Sequence, residues 1–221
     1  MNTTISKSFF AMVVAGLCLS LSSAAMAQEV FSADMVGEVP AAPPDTTPLA
    51  DLNPKLLVTV FEQACVLTGG QAPAAIDWAL TNDFVPADVM SGSAEGLLEG
   101  QPGTVMVAPG TDGRVMLAVS ASQCSVWAER TPGPPLRSAL AAMVVTLTAK
   151  GHKAQVTLDR SVERAGAWRN QMQWRYRAVG TQQDWGLGAV TTLANTPGTQ
   201  VLHFAPVGKV ANYAPDGVPA R

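Results

Sequence analysis

The chain has 221 residues, of which 48% are hydrophobic and only 14% carry a charge. This balance predicts a folded domain with a sizeable core and excludes a wholly disordered chain. A net charge of −3 and an isoelectric point near 5.3 argue against nucleic acid as a partner.

The first residues have the three parts of a secretory signal peptide. Lys7 precedes an apolar run over residues 9–19, and Ala25-Met26-Ala27 forms a small-residue cleavage box. The run is shorter than the ~20 residues that a membrane-spanning helix needs, and no later stretch is longer. We therefore expect a signal peptide over 1–27, a periplasmic or secreted protein, and no transmembrane segment after cleavage.

Residues 28–53 contain four prolines among alanines, threonines and acidic residues. Such a segment buries too little apolar area to order itself, so the sequence predicts a disordered leader. A single α+β domain is expected over 54–206. The Pro-, Gly- and Ala-rich residues 207–221 are expected to form a flexible tail.

The domain is predicted to begin with an antiparallel helical hairpin. Asn53 is a good N-cap and Pro54 suits the first helical position, which predicts a helix over 54–67 that Gly69 and Gly70 end. A second helix is expected from residue 73 to 84. Cys65 lies one turn beyond Phe61, on the apolar face of the first helix.

Two cysteines remain outside the predicted signal peptide, Cys65 and Cys124. In an oxidising compartment, such a pair predicts a disulfide. Two unrelated buried thiols are the alternative. A redox-active pair is less favoured, because the sequence has no Cys-x-x-Cys and no adjacent cation that would lower a thiol pKa.

These residues also carry a resemblance. The run Phe-Glu-Gln-Ala-Cys-Val at 61–66, the alanine-rich helix that ends at Phe84, and Cys124-Ser125-Val126 resemble small exported bacterial proteins of unknown function. The resemblance covers roughly residues 56–126. It implies export and a disulfide-bridged domain, and it implies no activity.

The middle of the chain is predicted to hold a loop, three strands and one long helix. The loop covers residues 85–103, and the strands cover 104–108, 114–119 and 124–129. The helix is indicated by apolar residues at helical spacing, namely Leu136, Leu140, Met143, Val144 and Leu147. Lys150 and Gly151 are typical of its end.

Four antiparallel strands are expected after that helix. Ala154, Val156 and Leu158 alternate with polar residues, and so do Met172, Trp174 and Tyr176, which places Arg175 and Arg177 outward. The last two strands cover residues 185–194 and 199–205. This order indicates an α+β fold with an antiparallel sheet and one long helix packed on it. It is similar to the order in cone-shaped folds of the nuclear-transport-factor-2 type, which implies a curved sheet around a pocket.

The sequence lacks the motifs of common catalytic and cofactor sites. We therefore predict no cofactor and favour a non-enzymatic protein, with enzymatic activity left open. His152 is expected in solvent and His203 on the polar face of the sheet, where pairing with Asp159 is the less favoured alternative. Gly186 and Gly188 are expected to let Trp168 or Trp174 pack against bare backbone.

The best functional signal is the basic second half of the chain. Residues 28–149 hold 13 acidic and 4 basic side chains, whereas residues 150–221 hold 4 acidic and 9 basic ones. Arg169, Arg175 and Arg177 are the candidate binding residues, because a guanidinium presents a planar fork to carboxylate or phosphate. The predicted function is binding of an envelope protein or anionic surface.

Two alternatives stay open beside this prediction. The charge asymmetry can reflect complementarity between the two halves of one domain. The alternative function is a pocket for a small apolar ligand, with or without catalysis, lined by Met143, Leu147, Trp174 and Tyr176.

Overall fold

Three α-helices and eight β-strands make up the part of the chain that the computed structural model describes, residues 51–87, 96–164 and 167–207. All of these residues belong to the unit Pro48–Arg221. The predicted signal peptide, the predicted leader up to residue 50 and the predicted tail from residue 208 lie outside the described residues. So do residues 88–95 of the predicted internal loop. Together the described elements give a mixed α+β architecture, as the sequence predicts.

The helices before the sheet are α1 (Pro54–Phe61) and α2 (Ala72–Thr81), with a π-helical turn at Glu62–Val66 directly after α1. The side chain of Asn53 accepts a hydrogen bond from the backbone N–H of Lys55 at 3.0 Å, which caps α1. Gly69 and Gly70 adopt positive φ angles of 63° and 66°, so the chain leaves the π-helical turn through a left-handed pair that favours glycine.

The strands form one open, antiparallel sheet in the order β1-β2-β3-β4-β8-β7-β6-β5. Their bounds are Val85–Pro86 (β1), Gly103–Val107 (β2), Val115–Ser120 (β3), Cys124–Pro132 (β4), Lys153–Arg164 (β5), Ala167–Arg177 (β6), Trp185–Thr192 (β7) and Pro197–Pro206 (β8). Helix α3 (Gly133–Ala149) joins β4 to β5. The two-residue strand β1 lies within the segment that the sequence predicts to be a loop.

The sheet has two unlike faces. The face that we call the helix face packs against all three helices through one large apolar core, which includes Phe61, Leu140 and Phe204. The opposite face, which we call the second face, carries a smaller apolar cluster that includes Trp127 and Leu98. Both faces are therefore partly buried, and period-2 alternation alone does not mark one of them as solvent-exposed.

Cys65 and Cys124 form the disulfide that the sequence predicts. Their Cα atoms lie 5.4 Å apart and both residues are fully buried. Cys65 belongs to the π-helical turn and Cys124 is the first residue of β4. The bridge thus joins the helical segment directly to the middle of the sheet.

The alternation expected for β5 is wrong after its first four residues. A β-bulge between Val156 and Leu158 shifts the register, so Leu158 pairs with Gln173 on the second face instead of continuing the row of Val156. Val156 itself is 56% exposed because β5 is an edge strand. The bulge also places Asp159 opposite Met172, on the helix face.

The neighbours expected for the two strand glycines are also wrong. A Cβ atom at Gly186 would lie 2.5 Å from the Nε2 atom of Gln173, and one at Gly188 would lie 2.7 Å from the ring of His203. The bare backbone of β7 therefore receives Gln173 and His203 on the second face, and neither predicted tryptophan. Among the described residues, no helix is long and apolar enough to cross a membrane.

Candidate functional site

The predicted binding arginines lie in one row of the β5–β6 hairpin. Arg169, Arg175 and Arg177 share the second face, because even-numbered spacing along β6 keeps side chains on one side. Cross-strand pairing adds Lys153 opposite Arg177 and places Arg160 opposite Gln171 on the same face. We call these five cations the basic stripe; from residue 169 to 177 it is about 27 Å long at ~3.4 Å per residue.

The carboxylates of the same hairpin point the other way. Asp159 pairs with Met172 and Glu163 pairs with Trp168, which puts both acidic side chains on the helix face. The pairing register therefore separates the charges of β5 and β6 by sign. The sequence contains the signal for Lys153 and Arg160, since both belong to its basic segment. Alternation alone places Lys153 on the second face, whereas the side of the sheet that Arg160 occupies depends on the bulge.

Asp184 is the acidic partner at one end of the basic stripe. Its carboxylate accepts from Nε of Arg177 at 2.6 Å and from Nε of Arg175 at 2.7 Å, and Nη2 of Arg175 donates to it as well. The hydrogen bond from Arg177 has the largest effect on Asp184 and, with those from Arg175, lowers the pKa of this carboxyl to about 2. The bond between Arg177 and Asp184 also raises the pKa of Arg177. The carboxylate neutralises one of the two charges and fixes both guanidinium planes.

Arg169 lies at the other end of the stripe in a different environment. It is half-buried, and its Nη1 donates to the backbone oxygen of Thr199 at 3.2 Å. Its Nε is buried and has no hydrogen-bond partner among the described residues. Arg160 is exposed and donates from Nε and Nη2 to the side-chain oxygen of Gln171 at 3.3 and 3.2 Å.

His152 is not in free solvent as the sequence suggests. Its Nδ1 lies 2.8 Å from the hydroxyl of the buried Tyr176, and the backbone N–H of Val179 points at the same nitrogen at 3.4 Å. The N–H of Val179 donates to Nδ1, so the hydroxyl of Tyr176 meets an acceptor there. Burial, with a smaller effect of the Glu62 charge, raises the pKa of Tyr176 to about 12, so the phenol is a hydrogen-bond donor and a poor nucleophile.

His203 lies on the second face, as alternation predicts, but it is buried rather than solvated. It pairs across the strands with Ser125 and Gly188, and burial lowers its pKa to about 4. The hypothetical pairing with Asp159 is wrong, because Asp159 lies on the opposite face and three strands away. The hydroxyl of Ser125 accepts a hydrogen bond from Nε1 of Trp127 at 3.0 Å.

The residues expected to line an apolar pocket belong to the core. Met143, Leu147, Trp174 and Tyr176 are all buried members of the apolar cluster on the helix face. Within residues 51–87, 96–164 and 167–207, no three His, Cys, Asp or Glu side chains are arranged to hold a metal ion. No protein-family model matches the chain, and no curated protein has a sequence that matches it.

Proposed function

We propose that the protein is a non-enzymatic binding module of the cell envelope that takes up an anionic partner along the basic stripe. The observation that carries the proposal is the arrangement of five cations on one face of one hairpin, with Asp184 as their one carboxylate partner among the described residues. A partner that presents several anionic groups along an extended line matches this arrangement.

The chemistry of the stripe supports a polyvalent ligand. Lys153, Arg160 and Arg175 are exposed. Arg177 binds Asp184 through Nε, and within the described part of the chain its two Nη groups stay available to a ligand. Guanidinium groups held in fixed planes bind carboxylate or phosphate with little further loss of side-chain entropy. Each surface contact contributes on the order of 0–1 kcal/mol, so useful affinity requires several contacts at once and falls with salt.

Export is part of the same proposal. We propose that residues 1–27 are a signal peptide, that residues 28–53 are a leader, and that the domain works in the periplasm or outside the cell. The Cys65–Cys124 disulfide supports this, because disulfides persist mainly in oxidising compartments. The resemblance to small exported bacterial proteins supports it from the sequence.

Two finer features of the fold complete the proposal. We propose that α1 and α2 form an antiparallel hairpin, which the pair of left-handed glycines between them supports. We also propose that the sheet curves around α3 as in a cone. An antiparallel sheet with a bulged edge strand is suited to such curvature.

The test is binding of the oxidised protein to immobilised poly-glutamate, eluted with a salt gradient. Replacing Lys153 by Gln removes a stripe cation that has no ion-pair partner among the described residues, and we expect earlier elution. The matched control is Lys55→Gln on α1, which changes the net charge equally from an exposed site outside the stripe. Equal elution shifts for the two variants would attribute binding to net charge and contradict the proposal.

The arginine pair allows a second, sharper comparison. Arg175→Gln together with Arg177→Gln should weaken binding more than Lys153→Gln, because two positions of the stripe are lost. If this double variant kept full, salt-sensitive binding, the basic stripe would not be the binding surface.

A further inference from the structure

The helix face of the β5–β6 hairpin carries a large aromatic side chain that the core does not use. Trp168 is 55% exposed, and alternation along β6 places it on the helix face beyond Asn170. The backbone N–H of Leu193 donates to the backbone oxygen of Trp168 at 3.4 Å, so Leu193, 41% exposed, lies alongside. A flat indole of this exposure is a stacking surface for a planar apolar group or a sugar ring.

A connected group of polar side chains follows immediately along the same face. Asn170 donates from Nδ2 to Asp159 at 3.1 Å, and Asn170 pairs across the strands with Thr191. The hydroxyl of Thr191 lies 2.7 Å from Nη1 of Arg137, which also donates to the backbone oxygen of Thr192 at 2.7 Å. Burial lowers the pKa of the Arg137 guanidinium, and the charge of Asp159 opposes this effect.

Asn170 breaks the packing pattern of its strand. It occupies the row of Met172, Trp174 and Tyr176, where an apolar residue would extend the core, and it is only 8% exposed. Its Oδ1 has no hydrogen-bond partner among the described residues, so half of a buried amide is unsatisfied. A buried polar side chain that is not fully satisfied points to a role outside packing.

The local charge balance distinguishes this surface from the basic stripe. Among the described residues, Asp159 and Glu163 supply two carboxylates on the helix face, against one guanidinium, that of Arg137. An anionic ligand would meet repulsion here. A neutral ligand with many hydroxyl groups would find both acceptors, in Asp159 and Glu163, and a donor, in Arg137, beside an apolar platform.

We propose that this surface, formed by Trp168, Glu163, Asp159, Asn170 and Arg137, binds an uncharged oligosaccharide. A sugar ring stacks on the indole of Trp168. Its hydroxyl groups donate to the carboxylates of Asp159 and Glu163 and accept from Arg137. Asn170 is a positioning residue, because its amide donates to the Asp159 carboxylate and holds it on the helix face. This site is on the opposite face of the hairpin from the basic stripe and does not depend on it.

The experiment is titration of the oxidised protein with three uncharged tetrasaccharides, namely the β-1,4-linked oligomers of N-acetylglucosamine and of glucose and the α-1,4-linked oligomer of glucose. Isothermal calorimetry gives the affinity, and indole fluorescence reports contact with tryptophan. We expect at least one of the three to bind, Trp168→Ala to weaken its binding by about tenfold or more, and Trp168→Phe to retain most of the affinity.

Matched variants separate this site from general surface effects. Val145→Ala on α3 removes an apolar side chain of similar exposure and should leave sugar binding unchanged. Arg175→Gln with Arg177→Gln should also leave it unchanged, so that failure here and failure of the basic stripe are distinguishable. Absence of binding by all three sugars at about 10 mM, or equal affinity in Trp168→Ala, would overturn the proposal.

Discussion

Cys65 and Cys124 are 59 residues apart in the chain and joined in the core, so their disulfide closes one large loop between the helical segment and β4. The chain-entropy model assigns about 4 kcal/mol of stabilisation to a loop of this length. We expect the double variant Cys65→Ala/Cys124→Ala to lose about 2–4 kcal/mol of unfolding free energy, measured by urea denaturation under oxidising conditions.

The control for this prediction is reduction. A reductant should destabilise the unmodified protein by a similar amount and leave the double variant unchanged, because the variant has no bridge to break. Equal unfolding free energies of the oxidised protein and the double variant would show that the disulfide contributes no net stability.

The alternation of β6 illustrates how far sequence predicts this fold. Met172, Trp174 and Tyr176 are apolar and aromatic at every second position, so their side of the sheet follows from the pattern. The first residues of β6, up to Asn170, include polar side chains on both faces of the sheet. The sequence pattern therefore does not show that this part of the chain also pairs with a neighbouring strand. Nor does any pattern in β5 reveal the bulge beside Thr157, because its exposed edge tolerates either register.

The hydroxyl of Tyr176 contacts His152, which lies just beyond the end of α3. Tyr176→Phe leaves a buried ring of nearly the same shape and removes only the 2.8 Å contact with Nδ1 of His152. We expect a loss of about 1 kcal/mol in unfolding free energy. A double-mutant cycle with His152→Ala measures the coupling directly, and a coupling energy near zero would contradict the hydrogen bond.

Burial of His203 predicts an acid-sensitive stability. Its pKa is about 4 in the folded chain and about 6.5 when unfolded, so between these values the unfolded state binds more protons. Stability is therefore complete above pH ~6.5 and falls as the pH drops towards 4. The loss is at most about 3 kcal/mol, and urea denaturation between pH 7 and 4 measures it.

A variant and a separate pH window isolate this effect. His203→Gln should flatten the stability profile between pH 6.5 and 4, because no proton is taken up at that position. Asp184, with a pKa of about 2 in the folded chain against 3.8 for the free side chain, contributes stability above pH 3.8 that is lost as the pH falls towards 2. An unchanged slope above pH 4 in His203→Gln would show that His203 is not the responsible group.

The basic stripe was only partly predictable from the sequence, because spacing along a strand shows which side a residue is on but not which other segments contact it. Period-2 spacing places Arg169, Arg175 and Arg177 on one side of β6, and the structure has them there. Spacing says nothing about Asp184, which reaches Arg175 and Arg177 from the turn before β7. Spacing also does not predict that His203 is buried, because its burial depends on which other segments of the chain cover the second face.

Two glycines on β7 provide a matched pair for packing on that face. A Cβ at Gly188 would lie 2.5 Å from the backbone oxygen of Met172 and 2.7 Å from the buried ring of His203, neither of which moves easily. A Cβ at Gly186 would chiefly meet the flexible end of Gln173. Because both positions lie in the same strand two residues apart, the change in backbone entropy is alike.

We therefore expect Gly188→Ala to destabilise the protein by about 1–3 kcal/mol and Gly186→Ala to change its stability by less than about 1 kcal/mol. Parallel urea denaturation of the two variants measures the difference. Gly188→Ala should also disturb the ring of His203, which an altered imidazole titration by NMR would detect. If the two variants proved equally stable, the close approach of Met172 and His203 to the β7 backbone would be wrong.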